Sequence, residues 1–195
     1  MKILIEIPNT GLLPVETAAA LMRMEKYANL WGIETECVFR RGCLIYDSRE
    51  AAGNNLLESD CDALLFLDSD MYPTEEMLVR LLEAKKDIIS ALAFRRVPNY
   101  EPCIFDENGF YHDYPEGVIE VEATGMACTL IKREVFEKTP QPWFFPEPVI
   151  GEDKAFCQRA KSAGFKIYCD TTLECGHIGE CVFHSGHYRQ WREQC

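Results

Sequence analysis

The sequence has no long apolar run, no excess of positive charge, no internal repeat and no low-complexity segment, and each absence excludes a class of protein. A membrane-spanning helix needs roughly 18–20 consecutive apolar residues, and none of the apolar runs comes near that length. The net charge is −12, whereas proteins that bind nucleic-acid backbones present a basic face. We therefore expect neither a membrane segment nor a nucleic-acid partner.

The N-terminal residues lack the features of a secretory signal peptide. Residues 1–8 contain neither a long apolar region nor a small-residue cleavage site. They are typical of a first buried strand instead. We expect a cytoplasmic protein.

Cysteine, in contrast, is abundant for that compartment. The ten cysteines are Cys37, Cys43, Cys61, Cys103, Cys128, Cys157, Cys169, Cys175, Cys181 and Cys195. Reducing compartments disfavour disulfides, and buried thiols behave as small hydrophobes. We interpret these residues mainly as reduced structural thiols, with a disulfide framework as the alternative.

The order of the predicted elements indicates an α/β fold. Strands are predicted at residues 2–7, 33–39, 63–67 and 87–92, and helices that begin near residues 14, 48 and 74 alternate with them. This order is typical of a mostly parallel central sheet flanked by helices. The second half is richer in turns, and a hairpin tip at residues 106–109 predicts a smaller antiparallel β element there. A chain of 195 residues without a visible linker favours a single domain.

The tripeptide Asp68-Ser69-Asp70 follows the apolar run at residues 63–67, which is typical of a buried parallel strand. Because side chains alternate along an extended chain, we expect Asp68 and Asp70 to point in the same direction. Open α/β sheets bind their ligands at the carboxyl ends of the strands. A pair of carboxylates there suits Mn²⁺ or Mg²⁺, the ions that usually accompany phosphate groups. The alternative interpretation is a polar turn without a ligand.

Glu152 and Asp153 stand in the first turn of a helix predicted over residues 151–163. Free backbone N–H groups and the helix dipole favour an ionised carboxylate at this position. Asp153 is therefore a candidate for a catalytic base, which must be deprotonated near pH 7. Simple helix capping is the alternative.

His177 follows the last predicted strand, and its neighbouring glycines allow the backbone to approach a ligand closely. A neutral imidazole is able to complete the coordination of a metal ion that Asp70 begins. A hydrogen-bonded surface histidine is one alternative, and a structural zinc site of unusual spacing is another. The residues of that zinc site would be Cys175, His177, Cys181 and His184.

Arginine and aromatic residues supply further candidates. Arg49 and the pair Arg95-Arg96 lie near the predicted carboxyl ends of strands. Arginine binds phosphate in a bidentate manner, and an acidic chain needs local cations to bind a phosphorylated ligand; solvated surface residues are the alternative. Trp143-Phe144-Phe145 is predicted to be an exposed cluster that offers a platform for a sugar ring, with a plug over the core as the alternative.

Taken in their order along the chain, these segments resemble the GT-A glycosyltransferases, in particular the family 2-like group. The resemblance extends over nearly the whole chain. The segments that carry it are Pro8-Asn9, Ser48-Arg49, residues 65–71, residues 124–127, residues 142–144, residues 151–157 and Gly176-His177.

The resemblance implies a single GT-A (Rossmann-like) domain over residues 1–195, with a nucleotide-binding half at residues 1–97 and an acceptor-side half at residues 98–195. It implies a metal-dependent hexosyltransferase that uses Mn²⁺ or Mg²⁺. The donor would be a nucleoside diphosphate sugar, in particular a UDP-sugar, and the acceptor would be a hydroxyl group of a glycan, a protein or a small molecule. The resemblance leaves retention or inversion of stereochemistry open.

The resemblance also implies roles for individual residues. The metal site would consist of Asp68, Asp70 and His177. Asp70 and His177 would bind the metal directly, whereas Asp68 would contact the ribose of the donor or reach the metal through a water molecule. The donor nucleotide would be bound by Pro8, Asn9, Arg49, Asp68 and Ser69. The sugar or acceptor would be lined by Gly125, Trp143 and Glu152. Asp153 would be the catalytic base if the enzyme inverts.

One departure and two alternatives accompany this interpretation. Glu50 follows Arg49 where many relatives have asparagine, so the donor contact of Arg49 is in question. A nucleotidyltransferase also uses carboxylates and a metal, but the first loop, Pro8-Asn9-Thr10-Gly11, lacks the usual Gly-rich basic character. A non-catalytic module that binds a nucleotide sugar or a carbohydrate is the second alternative.

Overall fold

Strands and helices alternate through the first half of the chain, and short strands dominate the second. The computed structural model describes residues 1–42, 44–179 and 182–193. The strands within these residues are β1 Lys2–Asn9, β2 Glu34–Arg41, β3 Ala63–Leu67, β4 Met71–Tyr72, β5 Ile88–Leu92, β6 Ile104–Asp106, β7 Gly109–Phe110, β8 Val118–Val121, β9 Ala123–Thr124, β10 Cys128–Lys132, β11 Ile167–Glu174, β12 Gly176–Ile178 and β13 Val182–Phe183. The helices are α1 Val15–Leu30, α2 Ile45–Glu58, α3 Met77–Glu83, α4 Arg133–Lys138, α5 Glu152–Ser162 and α6 Ser185–Arg192. None of these helices combines the length and the apolar character that crossing a lipid bilayer requires.

Seven strands of the described residues form the central sheet, in the order β2-β1-β3-β10-β5-β11-β8. Strands β1, β2, β3, β5 and β11 run in one direction, whereas β10 and β8 run antiparallel to their neighbours. The predicted mostly parallel sheet flanked by helices is confirmed. Both halves of the sequence contribute strands to it, because β10 lies between β3 and β5.

The apolar runs explain why the central strands are buried on both faces. Every residue of β3 and of β5 is buried, as expected for parallel strands that helices cover on both sides. Two apolar clusters fill the space on the two faces of the sheet. Because β1, β3 and β5 are parallel, the loops that follow them emerge at one edge of the sheet, and this edge carries the candidate site.

Two small antiparallel sheets flank the central one within the described residues, in the orders β13-β12-β4 and β7-β6-β9. The predicted hairpin tip is confirmed, since β6 and β7 pair with Asp106 opposite Gly109. Strand β4 is not among the strands predicted from the sequence. Met71 and Tyr72 instead pair with β12, and this pairing positions His177.

The predicted exposed aromatic cluster is wrong for two of its three members. Trp143 is 2% exposed and Phe144 is fully buried, whereas Phe145 is exposed. The Trp143 ring packs edge-on against Phe136, with 5.2 Å between ring centroids. The Glu50 carboxylate accepts the backbone N–H groups of Trp143 and Phe144 at 2.9 Å and turns this loop towards the core. The predicted sugar-lining role of Trp143 is therefore wrong, because its ring has no face available to a ligand.

The cysteines behave as predicted where the structure describes them. The described cysteines, at positions 37, 61, 103, 128, 157, 169 and 175, are free thiols, and all except Cys37 and Cys103 are buried. The interpretation as reduced structural thiols is confirmed for these residues. Cys43, Cys181 and Cys195 lie outside the described residues.

Candidate active site

A cavity of about 200 Å³ lies at the edge of the central sheet where β1 and β3 end. It is lined by Pro8, Asn9, Thr10, Gly42, Ile45, Ser48, Asp68, Ser69 and Asp70. The structure thus brings the predicted donor-binding residues of the first loop together with the Asp68-Ser69-Asp70 segment. The physical reason is the parallel pairing of β1 with β3, which places their carboxyl ends side by side.

The first loop is held in shape by the side chain of Asn9. The Asn9 Oδ1 atom accepts the Gly11 N–H at 2.9 Å, and the Asn9 Nδ2 atom donates to the Ile7 carbonyl at 3.1 Å. An asparagine that bonds to backbone two residues on is typical of a tight turn. Asn9 therefore fixes the rim of the cavity.

Asp68 and Asp70 lie in a tight turn, not on an extended strand. The Met71 N–H donates to the Asp68 carbonyl at 3.1 Å and closes the turn, so the predicted alternation of side chains does not apply. The carboxylates diverge: Asp68 faces Arg49, and Asp70 faces His177. The prediction that the two point in the same direction is wrong, although both line the cavity.

Strand pairing brings His177 to Asp70. Strand β12 pairs antiparallel with β4 so that His177 lies opposite Met71, and the Ile178 N–H donates to the Asp70 carbonyl at 2.7 Å. The His177 Nε2 atom consequently lies 3.3 Å from the Asp70 Oδ2 atom. The predicted contact between these two distant side chains is present.

The second ring nitrogen of His177 indicates the proton arrangement. The Nδ1 atom lies 2.9 Å from the Phe94 carbonyl oxygen, and a carbonyl oxygen only accepts, so Nδ1 carries a proton. In the neutral imidazole the Nε2 lone pair then faces Asp70, which is the usual orientation of a metal-bound histidine. Adjacent ligands of an octahedral ion with bonds of about 2.1 Å are roughly 3 Å apart. Asp70 and His177 therefore fit as two ligands of one divalent cation.

The pKa values of this pair agree with a cation site. Burial alone would raise the pKa of Asp70 and lower that of His177, because burial disfavours charged forms. Burial is the largest single cause for each group, but the other causes together outweigh it. The hydrogen bond and the attraction between the two groups, with the charge of Arg96, lower the pKa of Asp70. The same hydrogen bond, together with the Phe94 carbonyl and the charge of Asp70, raises the pKa of His177. Asp70 is thus held as a carboxylate, and a proton and a metal ion compete for the Nε2 atom of His177.

Asp68 does not form a close three-ligand group with Asp70 and His177 in the described part of the chain. Its oxygens lie 3.2 and 3.3 Å from the Arg49 Nη2 atom. Burial raises the pKa of Asp68, Arg49 opposes this, and the charge of Asp70 adds to it. In this arrangement Asp68 faces Arg49 and not the Asp70–His177 pair. Its ligation of a metal, directly or through water, and its contact with the ribose of a donor stay predictions.

Arg49 lies beneath the cavity and does not line it. Its side chain is 3% exposed. The Nη1 atom forms an ion pair with Asp153 and lies 3.9 Å from Glu152, while Nη2 binds Asp68. The guanidinium thus links the turn after β3 to the first turn of α5. The two Nη atoms contact carboxylates, and the Nε atom is buried without a hydrogen-bond partner. The structure does not bring Arg49 into the lining of the cavity, and its contact with the donor nucleotide stays a prediction.

Asp153 projects from the first turn of α5 towards the loop that precedes β10. Its Oδ2 atom accepts the backbone N–H of Met126 at 3.3 Å. A Cβ atom added to Gly125 would lie 3.6 Å from that oxygen. Gly125 and Asp153, both predicted site residues, are therefore neighbours, and the absence of a side chain at residue 125 leaves room beside the carboxylate.

The environment of Asp153 raises its pKa to about 7. Burial is the main cause; Glu152 and Asp68 act in the same direction as like charges, and Arg49 opposes them. The first-turn position alone would have favoured the ionised form at lower pH. A carboxylate whose pKa lies near the working pH is well matched to accept and release a proton.

Several residues that line the cavity were missed by sequence reasoning. Thr10 follows β1, Gly42 follows β2, and Ile45 and Ser48 open α2. A Cβ atom at Gly42 would lie 2.5 Å from the Ser48 Oγ atom, so this approach requires a glycine. Their positions in the sequence could have identified them, because all of them follow β1 or β2, two neighbouring parallel strands that end at the same edge of the sheet.

The alternative zinc site includes Cys181, which lies outside the described residues. Cys175 is buried, and burial raises the pKa of its thiol well above the ordinary value. Zinc binds the thiolate form. A protonated, buried Cys175 therefore argues against that site, whereas His177 already has a partner in Asp70.

Comparison with known proteins places this geometry in a structural context. No protein-family model and no curated protein sequence matches the chain. Among solved structures, A197 from STIV has a TM-score of 0.68 and 26% sequence identity, and the match covers 92% of this chain and 86% of that one.

Two further solved structures are glycosyltransferases. S. aureus TarS has a TM-score of 0.52 and 14% identity over 90% of this chain. GalNAc-T7, crystallised with UDP, GalNAc and Mn²⁺, has a TM-score of 0.59 and 13% identity over 98% of this chain. The chain spans 36% of the TarS chain and 47% of the GalNAc-T7 chain. These similarities establish a GT-A-like fold for this protein.

Proposed function

We propose that the protein is a metal-dependent glycosyltransferase of the family 2-like group, which transfers a hexose from a nucleoside diphosphate sugar, in particular a UDP-sugar, to a hydroxyl acceptor. The observation that carries the proposal is the Asp70–His177 pair, 3.3 Å apart at the edge of a cavity that lies beyond the ends of β1 and β3. In this proposal residues 1–97 supply most of the nucleotide site, and residues 98–195 supply the acceptor side.

Asp70 and His177 are the residues that would hold a Mn²⁺ or Mg²⁺ ion. When bound, such an ion supplies charge neutralisation for the leaving diphosphate. The hydrogen bond from His177 Nδ1 to the Phe94 carbonyl, at 2.9 Å, keeps the imidazole in the orientation that ligation needs. The UDP and Mn²⁺ named in the GalNAc-T7 structure support the same class of donor and cofactor.

Asp153 would act as the base of an inverting transfer. The acceptor hydroxyl oxygen forms a bond to the anomeric carbon of the sugar and gives its proton to the Asp153 carboxylate. The bond from that carbon to the diphosphate oxygen breaks, and its electron pair leaves with the diphosphate. Gly125, beside Asp153 Oδ2, provides space on the acceptor side, and Glu152 lies in the same turn.

The alternatives receive less support from the geometry. A nucleotidyltransferase usually has a Gly-rich basic loop after its first strand, and here that loop, Pro8-Asn9-Thr10-Gly11, has no lysine or arginine. A non-catalytic binding module would use the same cavity, but it would not need a half-buried carboxylate with a pKa of about 7 on the far side of Arg49.

The experiment that tests the proposal measures free nucleoside diphosphate after incubation with a panel of nucleotide sugars. We expect release with Mn²⁺ and none after chelation. His177→Asn should weaken the apparent affinity for Mn²⁺ by at least roughly tenfold, given that even outer-shell changes cost 10- to 100-fold; Asp70→Asn should act in the same direction. Asp87→Asn, which removes a carboxylate from an exposed pair with Lys132, is the matched control and should behave as wild type. Equal turnover with and without metal would exclude the proposal, and donor binding without release would favour the binding module.

A further inference from the structure

Arg96, in the loop that follows β5, contacts the same carboxylate oxygen as His177. Its Nη1 atom lies 2.8 Å from Asp70 Oδ2 and donates to the Ile178 carbonyl at 3.0 Å. The side chain is 47% exposed, so it is anchored at its tip while the rest remains in solvent. The Asp70 Oδ2 atom, which would bind the metal, is thus also the atom that pairs with Arg96.

The charges around the cavity make this arginine significant. The charged residues that line the cavity are Asp68 and Asp70, and a diphosphate would be repelled by them. Arg49 does not line the cavity, and its guanidinium is buried among carboxylates. A divalent ion neutralises the two charges that the diphosphate of a nucleotide sugar carries, but the two aspartates of the cavity remain. The leaving nucleoside diphosphate gains a further negative charge when its bond to the sugar breaks.

We propose, on the basis of the proposed function, that Arg96 binds the diphosphate of the donor. A divalent ion that occupies Asp70 Oδ2 displaces the Arg96 guanidinium, and the guanidinium then binds phosphate oxygens bidentately, as its planar geometry permits. The exchange costs little, because arginine–carboxylate pairs that remain partly exposed to solvent contribute little to stability. Arg96 therefore opposes the binding of the metal alone and favours the binding of the metal with a diphosphate.

The neighbouring Arg95 supplies a matched comparison. Its Nη1 atom lies 2.7 Å from Glu101 Oε2, and its side chain is 46% exposed. Its guanidinium lies over the Phe110 ring, at 5.6 Å from the centroid. Arg95 has the same charge, nearly the same exposure and a carboxylate partner, but it does not contact Asp70.

The test is calorimetric titration of wild type, Arg96→Ala and Arg95→Ala with MnCl₂ alone, and then with UDP and UMP at saturating Mn²⁺. For Arg96→Ala we expect unchanged or tighter binding of Mn²⁺ alone. UDP binding should weaken by roughly 10- to 100-fold, the range of a lost hydrogen bond to a charged group, and UMP binding should weaken less. Arg96→Lys should recover part of the UDP affinity, and Arg95→Ala should resemble wild type in all three titrations.

Two results would overturn the inference. The first is UDP binding by Arg96→Ala that is no weaker than UDP binding by Arg95→Ala. The second is an equal loss for UDP and UMP, since that would place Arg96 away from the second phosphate. Wild-type protein that binds no UDP with Mn²⁺ would instead refute the proposed function itself, so the two failures are distinguishable.

Discussion

Replacement of Arg49 with methionine is expected to lower the free energy of unfolding by about 3–5 kcal/mol at pH 8, the cost of removing one partner from a buried ion pair. The Arg49 side chain is 3% exposed and contacts Asp68 and Asp153, with Glu152 at 3.9 Å. Methionine fills a similar volume but leaves these carboxylates without their counter-charge. Chemical denaturation followed by intrinsic fluorescence would measure the loss.

The pH dependence of this loss has a defined sign. In the folded protein the pKa values of Asp68 and Asp153 are already raised by burial, and Arg49 opposes the rise. Without Arg49 both pKa values rise further, so the folded variant takes up protons more readily than the unfolded chain. A group with a raised folded pKa becomes less destabilising as pH falls through that pKa. The difference between wild type and variant should therefore shrink as pH is lowered from the higher pKa of Asp153 in the variant towards about 7, its pKa in the wild type.

Arg192→Met is the control for the loss of a surface pair. Arg192 Nη1 lies 2.9 Å from Asp113, and the two side chains are 48% and 83% exposed. Such pairs contribute about 0–1 kcal/mol. If Arg49→Met is destabilised no more than Arg192→Met at pH 8, then Arg49 does not hold the site together as described.

Replacement of Asp153 with asparagine is expected to reduce glycosyl transfer by roughly 10²–10⁴-fold, the usual contribution of a general base. Asparagine has a similar shape and keeps an oxygen for the Met126 N–H, which lies 3.3 Å from Asp153 Oδ2, but it cannot accept the acceptor's proton. The ionic partner of Asp153 is Arg49. Asp70, in contrast, pairs with His177 and Arg96. UDP binding at saturating Mn²⁺ should therefore change far less than the rate.

The role of Asp153 as a base should also be visible in the pH dependence of the wild-type rate. Because the pKa of Asp153 is about 7 and only the carboxylate accepts a proton, kcat/KM should rise with pH below about 7 and level off above it. The measurement is made at saturating Mn²⁺, because a bound ion prevents protonation of His177 from contributing to the pH dependence below pH 7. The limb should be absent from the residual rate of Asp153→Asn.

Glu134→Gln provides the matched control for Asp153→Asn. Glu134 is an acid in the first turn of α4 and pairs with Lys138 on the surface. Its replacement should leave transfer unchanged. A wild-type rate in Asp153→Asn, or an unaltered pH limb, would remove Asp153 from the role of base.

The position of the site was predictable from the sequence, whereas the orientation of its side chains was not. An apolar run followed by Asp68-Ser69-Asp70 fixes a buried strand and the edge at which its loop emerges. The turn closed by the Met71 N–H depends on the pairing of β4 with β12, which is a tertiary contact. The alternation of side chains along an extended strand therefore predicted the same direction for the carboxylates of Asp68 and Asp70. In the folded chain they face different partners, Arg49 and His177.

Arg49 and Trp143 illustrate the same limit. An arginine near the end of a strand and an aromatic residue in a proline-rich loop both favour a ligand contact when they are read locally. In the fold, carboxylates from two separate segments surround Arg49, and Glu50 draws the backbone of Trp143 inward. Burial of a side chain depends on packing partners distant in sequence, and a single sequence does not specify them.

The most direct test of the central claim is pulsed electron paramagnetic resonance of Mn²⁺ bound to the protein with UDP. The account predicts nitrogen coupling from one directly bound imidazole, its loss in His177→Asn, and its retention in His112→Asn, where the ring stacks on Tyr188. A spectrum of the wild-type complex without nitrogen coupling, or coupling that persists in His177→Asn, would contradict it.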